Sequence, residues 1–447
     1  MEQLFHLKEN GTNVRQELVA GTTTFLAMAY ILAVNPNILG EVMNRDGVFL
    51  ATALASAFAT FLMAFLANFP IALSAGMGLN AYFAYTVCLG ELGGTADAFT
   101  IALTAVFCEG LVFIILSFFK VREQIVNGIP QNLKLGITSG IGLFIAFIGL
   151  QGAGIVVNDD STLLTLGSFK SPEMVLALLG VVIIAVLSSL GIRAAVLIGI
   201  LCTWVLGMIA QAAGWYTGFS VYPDFSSGLV NFGALKETAF HLNFGWAASH
   251  LLEFITILFS FLYVDLFDTV GTVVGVAEKA GLVDEEGNVP RVGRILLCDA
   301  IGTVFGACLG TSTITSFVES TAGVGTGGRT GLTSVATGFW FIVAIFLSPV
   351  FLAIPSFATA PALIYVGMLM VTSITKMSFD GDMADTISGY LAILIMPLAY
   401  SIASGIMLGI MSWVLIKILT GKVKEISPVM WLIFALFCLR ILALVIA

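Results

Sequence analysis

FLYVDLFDTVGTVVG, residues 261–275, decides how the rest of the chain is read: two carboxylates, Asp265 and Asp268, stand inside an otherwise apolar run with no basic cluster beside them. Spaced three apart on a helix, they share one face, so both acids are expected to look the same way. A carboxylate near the centre of a bilayer costs at least about 2.5 kcal/mol on insertion scales, and residues that carry such a cost face a polar cavity with a task to perform. The surrounding sequence reads as the scaffold of that cavity.

Composition places the scaffold in a membrane. The 447 residues are 59% hydrophobic and 10% charged, with mean hydropathy +1.05, whereas soluble domains carry about 25% charged residues. At about 20 apolar residues per crossing, most of the chain must lie in the bilayer. The formal net charge of −9 is spread over scattered acids and gives no sign of a nucleic-acid partner. Six cysteines lie in apolar stretches without a C-x-x-C pair, which supports neither a zinc site nor a disulfide frame. His6, His241 and His250 lie far apart in polar segments, so no metal site is indicated. The first seventeen residues lack an apolar core and a cleavage site and read as a cytosolic amphipathic leader.

Apolar runs fall at about Glu17–Leu39, Gly47–Phe69, Ile71–Leu89, Phe99–Phe119, Leu133–Leu150, Met174–Leu190 and Arg193–Gln211. After a polar linker come His250–Ala277, Val292–Leu309, Ser312–Val324, Leu332–Leu352, Pro361–Ile374, Ala384–Pro397 and Ser401–Leu419, then a last segment, Pro428–Ala447, which lies along the inner surface or crosses once more. Seven and seven make an inverted repeat. An Ile-Pro pair opens the fifth span (Ile129, Pro130) and marks its counterpart (Ile354, Pro355), and GIRAAVLIGILCTWVL in the seventh resembles SIASGIMLGIMSWVL in the fourteenth. Cytoplasmic loops carry excess Lys and Arg. With both ends inside, fourteen of the eighteen basic residues, Lys120 and Arg122 among them, fall on the cytoplasmic side, and Arg45, Lys170 and Lys236 fall outside. The expected fold is therefore an all-α polytopic membrane protein of fourteen transmembrane segments in two seven-segment inverted repeats.

Two spans read as broken. FPIALSAGMGLNAYFAYTV, the third, has Pro70 and the Ser74-Ala75-Gly76 break, and GTSTITSFVESTAGVGTGGRTG, the tenth, has hydroxyl and β-branched residues from Thr311 to Thr315 ahead of Glu319. A short extended piece followed by a half-helix is expected in each. Broken backbone at bilayer depth is tolerated where it is buried in protein or lines a cavity, and the freed N–H groups of a half-helix start are ready donors.

Asp265, Asp268 and Glu319 are thus the candidate substrate-binding and proton-carrying acids, because burial of a carboxyl group lets protonation couple to loading. The competing reading is that they pair with Ser or Thr hydroxyls and hold helices together, a role that fits Asp268, followed by Thr269, as well as the functional one. Glu109 is a weaker candidate, on an unbroken span. Asn80, just after the break, offers an amide that donates and accepts, suited to the edge of a heterocycle, or else caps and ties helices. Phe83, Tyr82 or Phe317 could stack on a planar ligand, although aromatics in membrane helices usually only pack. Gly271, Gly275, Gly302 and Gly306 signal close helix packing. The glycines before Arg329 lack the Lys-Ser/Thr of a phosphate loop.

On these motifs the chain resembles the AzgA-like branch of the nucleobase–cation symporters, purine permeases of bacteria and fungi. The resemblance runs through AGTTTFLAMAYILAVNPNIL, GMGLNAYFAY, VDLFDTVGT, VESTAGVGTGGRTGLT and APALIYVGMLM. It implies a core domain at 1–120 and 248–352, a gate domain at 121–213 and 353–447 that makes a homodimer contact, and an extracellular linker at 214–247. It also implies proton-coupled purine uptake by an elevator movement, with no other cofactor, in a multi-pass protein of the inner (plasma) membrane in contact with lipid. Its substrate residues fall on Asn80, Asp265, Asp268 and Glu319. Departures at Ser74, in SAGMGLN, and Phe317, in SFVES, leave those two substrate-binding positions open for fine preference.

A carboxylate accepts the N1–H of hypoxanthine and the N1–H and N2–H₂ of guanine, whereas adenine opposes it with an unprotonated N1. The resemblance leans the same way, since adenine-specific relatives tend to carry an amide at the position of Asp265. Hypoxanthine and guanine are the favoured substrates, with an adenine permease as the alternative. An inorganic-anion transporter on the same fold would want cationic or neutral half-helix ends. A channel would show rings of like residues, and a membrane enzyme would need a nucleophile with a base or metal at depth.

Overall fold

A computed structural model describes residues 2–118, 128–226, 228–283 and 289–446, so Lys120 and Arg122 lie outside the described residues. The first half contains α1 (Glu2–Phe5), α2 (Val14–Met28), α3 (Ile31–Leu39), α4 (Arg45–Leu62), β1 (Leu73–Ala75), α5 (Met77–Ala81), which a π-helical stretch extends to Glu91, and α6 (Ala98–Phe118). It continues with α7 (Gln131–Gly152), a hairpin of β2 (Val156–Asp159) and β3 (Leu163–Leu166), α8 (Pro172–Ser189) and α9 (Ala195–Ala212). The second half contains α10 (Phe244–Ser249), α11 (Leu251–Ala280), α12 (Val292–Leu309), β4 (Ile314–Ser316), α13 (Ser320–Val324), α14 (Gly331–Ile345), α15 (Ser348–Leu352), α16 (Ser356–Val371), α17 (Met383–Leu398), α18 (Ile402–Leu419) and α19 (Pro428–Ile446). Among the described residues, nine helices are long and apolar enough to cross a membrane.

Local chemistry sets the helix starts. Asn13, Asn44, Ser171 and Asp382 each accept a backbone N–H of the first turn of the apolar helix that follows, satisfying a donor that has no partner within the helix. Pro172 adds a pre-set φ at the first position of α8. Gly281, at φ +64°, closes α11 in a conformation that costs a side chain energy.

The two broken spans meet. β1 and β4 pair antiparallel with Leu73 opposite Ser316, Ser74 opposite Thr315 and Ala75 opposite Ile314. Gly76 N and Phe317 N extend the ladder to Thr313 O at 3.1 Å and Ala72 O at 2.9 Å. One three-residue piece from each half thus completes the other's backbone hydrogen bonds inside the protein, which makes extended chain tolerable at this depth.

Around this pair, α12 packs on α4 and α6, α14 on α2 and α4, α13 on α2, and α11 on α6. A second group forms where α7 packs on α16 and α17, α17 on α18, and α8 on α9 and α16. Close contact in the second group depends on missing side chains. A Cβ on Gly142 would stand 2.6 Å from Gly367 O, and one on Gly367 would stand 2.4 Å from Gly142 O. Gly302 and Gly306 likewise admit Ala59 and Ile314, as the small-residue spacing implies. Gly275 has open space instead, and the surroundings of Gly271 lie outside the described residues.

Three features depart from the sequence reading. The first span is interrupted by a turn at Ala29 and Tyr30, inside an apolar run that carries no Gly or Pro there. The twelfth helix begins at Ser356 rather than Pro361, which sits inside it beside Gly180. Between the fifth and sixth apolar runs, where the all-α reading expects no strand, the chain folds as the β2–β3 hairpin, whose Leu163 and Leu166 are exposed.

Candidate functional site

The tenth-span turn after β4 carries Glu319, held half-buried at the start of α13. Oε1 of its carboxylate accepts the phenolic hydrogen of Tyr30, which is fully buried in the turn that interrupts the first span. Asp268 is also half-buried and accepts from Thr315 Oγ1 at 3.4 Å, so its carboxylate faces β4. It lies close enough to interact electrostatically with both Tyr30 and Glu319. Among the described residues, neither Asp268 nor Glu319 meets a lysine or arginine within ion-pair distance. Two partly accessible carboxylates without a cation form an acceptor-rich surface, which suits a ligand that presents N–H donors.

Asp265 meets other partners. It is fully buried and accepts from Thr269 Oγ1 at 3.0 Å, the hydroxyl that also lies 2.9 Å from Asp299 Oδ2 on α12. A helix turns about 100° per residue, so a spacing of three leaves side chains about 60° apart. The two acids have different partners within this arrangement: Asp268 accepts from Thr315 on β4, and Asp265 from Thr269, whose hydroxyl also meets Asp299, itself bonded to Ser316 of β4. Glu109 on α6 is buried and accepts from Thr313 Oγ1 at 2.9 Å, beside the start of β4.

Asn80 on α5 is fully buried, and its amide spans both broken elements. Its Nδ2 reaches Ala75 O at 3.4 Å and its Oδ1 accepts from Ser312 Oγ. Ser74 is engaged with Ser56 on α4, Oγ to Oγ at 2.7 Å. Phe317 is buried, with its N–H on Ala72 O. Tyr82 and Phe83 pack edge-on against Phe261, with ring centroids 4.8 and 6.3 Å away. The structure therefore brings Glu319 and Asp268 together at a partly accessible surface, and sets Asn80, Ser74, Phe317 and Asp265 behind it as buried, bonded groups. Tyr30 and Asp299 were not singled out from the sequence: a tyrosine in an apolar span reads as packing, and Asp299 stands alone near the charged start of its helix. A cavity of about 550 Å³ lies elsewhere, between Asp46, Tyr222, Asp224, Asn231 and α15.

Comparison with known proteins adds three findings. Residues 15–408 match the family model Xan_ur_permease, the Permease family. The chain is 44% identical over 444 residues to the guanine/hypoxanthine permease PbuO of Bacillus subtilis, covering 99% of this chain and 100% of that one. It is 40% identical over 443 residues to the adenine permease AdeP of Escherichia coli, covering 99% and 96%. In fold it resembles the transmembrane domain of the cyanobacterial bicarbonate transporter BicA, with a TM-score of 0.66 at 16% identity over 89% of this chain and 97% of the other. That likeness speaks for the architecture of two seven-segment inverted repeats. The family consists of transporters rather than enzymes, and the chain belongs to it: it is a polytopic membrane permease of the purine branch of the nucleobase–ascorbate transporters.

Proposed function

We propose that the chain carries purine nucleobases into the cell together with protons, hypoxanthine and guanine before adenine. The observation that carries this reading is the pair of half-buried carboxylates, Glu319 and Asp268, beside the joined strands β1 and β4. Oε1 of Glu319 accepts from Tyr30 and the carboxylate also meets its own backbone N–H, and a carboxylate's further lone pairs leave capacity to accept from a ligand. Hypoxanthine offers N1–H, and guanine offers N1–H with N2–H₂, to such an acceptor; adenine turns a lone pair toward it, which costs the desolvation of an unsatisfied group. Acids at the site also weigh against an inorganic anion as the cargo. Adenine is the second reading, favoured by the resemblance to AdeP.

Proton coupling rests on the same acids, Glu319, Asp268 and the buried Asp265, which can exchange a proton as the ligand comes and goes. The movement is of the elevator kind, with residues 1–120 and 248–352 as a core domain sliding against a gate domain of 121–213 and 353–447. Small polar links between the two groups of helices support this. Asn37 Nδ2 reaches Thr359 Oγ1 at 3.1 Å, Arg45 Nη2 reaches Ile354 O at 3.2 Å, and Thr86 Oγ1 reaches Tyr400 O at 3.3 Å. Such contacts can break and re-form at a cost of about 1 kcal/mol for each neutral pair and about 2 kcal/mol for the one donated by the arginine. The gate domain also serves as the contact of a homodimer, and both termini lie on the cytoplasmic side.

Labelled hypoxanthine uptake in cells that lack their own purine permeases tests the reading. Uptake should be competed by guanine more strongly than by adenine, and abolished by a protonophore. Preference for adenine would replace the substrate, and persistence with the protonophore would remove the coupling ion.

A further inference from the structure

We propose that Tyr30 is a positioning residue for substrate recognition: its hydroxyl fixes the carboxylate of Glu319 so that Oε2 is presented to the purine. The inference rests on Glu319 as the substrate acceptor. The terminal torsion of a glutamate is broad and roughly two-fold, so a carboxylate held only by its stem samples many orientations. Tyr30 narrows that freedom by taking Oε1, beside the carboxylate's contact with its own backbone N–H.

Its own placement is rigid. Tyr30 is fully buried, and its carbonyl accepts from Ala33 N at 3.0 Å and Val34 N at 2.9 Å, which sets it at the head of α3. Five residues on, Asn35 Nδ2 donates to Thr52 Oγ1 at 2.7 Å and to Thr311 Oγ1 at 3.0 Å. The segment that carries the phenol is thus tied to the stretch that leads into β4 and Glu319. Tie and hydroxyl together hold the interrupted first span and the broken tenth in one register. A phenol also suits the task chemically, since it donates one hydrogen to the carboxylate without bringing a positive charge that would occupy the acid as an ion pair.

The test is Tyr30→Phe, which keeps the ring and removes only the donor. Initial rates of hypoxanthine uptake should show KM raised about tenfold, as expected for a lost hydrogen bond to a charged group, with the maximal rate per protein at the membrane held within about twofold. A purely structural role would lower the amount of protein or its melting temperature without that split, so the melting temperature of the purified, ligand-free variant is measured alongside. Unchanged KM, or a fall in maximal rate alone, overturns the inference. If the variant does not reach the membrane, equilibrium binding of hypoxanthine to detergent-solubilised Tyr30→Phe protein provides the second reading, with an affinity about tenfold weaker than wild type expected and equal affinity overturning the inference. The outcomes separate from those of the underlying assignment. A wild-type chain that takes up no hypoxanthine, or a Glu319→Gln chain with wild-type KM, removes the assignment itself; loss of affinity in Glu319→Gln with none in Tyr30→Phe removes only the role of Tyr30.

Discussion

Tyr30 and Glu319, 289 residues apart in sequence, are joined by a hydrogen bond from the phenol to Oε1 of the carboxylate. The bond links the interruption of the first span to the turn after β4, so the acid that faces the site is oriented from the other half of the protein. Broken backbone in a membrane protein is costly unless it gains partners, and here the partners are also the groups that shape the site.

Asp265 reports on coupling rather than on contact with the ligand. It is fully buried and joined through Thr269 to Asp299, so Asp265→Asn removes an ionisable group while keeping its size. Uptake in this variant should lose its dependence on external pH across the neutral range at clamped membrane potential, or shift its preference toward adenine. If both the pH profile and the competition between purines match those of the wild type, Asp265 has no part in coupling or selectivity.

Glu17 makes a structural prediction. Its buried carboxylate accepts five hydrogen bonds, from Arg329 N, Thr330 N and Oγ1, and Thr333 N and Oγ1, at the start of α14. One acid from the first span therefore satisfies the open N–H groups of a helix in the second half and lies at the favourable end of its dipole. Glu17→Ala strands those donors and should lower stability by about 3 kcal/mol, read as a drop in the melting temperature of detergent-solubilised protein. A shift of under 1 °C would mean that water or another group replaces the carboxylate.

Asp382, at the start of α17, carries a pH-dependent contribution. Hydrogen bonds from Lys417 and Lys422 hold its carboxyl well below the usual carboxylate range. A lowered folded pKa stabilises above the unfolded value of about 3.9, and that stabilisation is lost as pH falls below it. Wild-type protein should therefore melt higher than Asp382→Asn at neutral pH, and the gap should close on acidification below about pH 4. Equal melting temperatures at neutral pH would show that the aspartate acts through its helix-capping bond to Ala384 N alone, a bond that asparagine also accepts.

Much of this was legible in the chain. The breaks at Ser74 to Gly76 and Thr311 to Thr315 stood out because β-branched, hydroxyl and glycine residues interrupt apolar runs, and the embedded acids stood out because charge is rare there. The interruption at Tyr30 was not visible: its flanks, LAMA and ILAV, are as apolar as any unbroken helix, and tertiary contacts rather than propensity set the turn. Nor could spacing tell that Asp265 is fully buried while Asp268 stays half-buried, since one helical face spans several neighbours and only packing decides which of them each acid meets. Glu17 read simply as the edge of a span, because a cap supplied to a helix more than three hundred residues away leaves no local pattern.

The central claim is that the Glu319 carboxylate reads the purine. Equilibrium binding of hypoxanthine to purified wild-type and Glu319→Gln protein tests it most directly, because binding needs neither the proton gradient nor the transport movement. The account predicts an affinity weakened about a hundredfold in the variant, as an amide hydrogen replaces one acceptor, with its melting temperature without ligand preserved; equal affinity in the two proteins would contradict it.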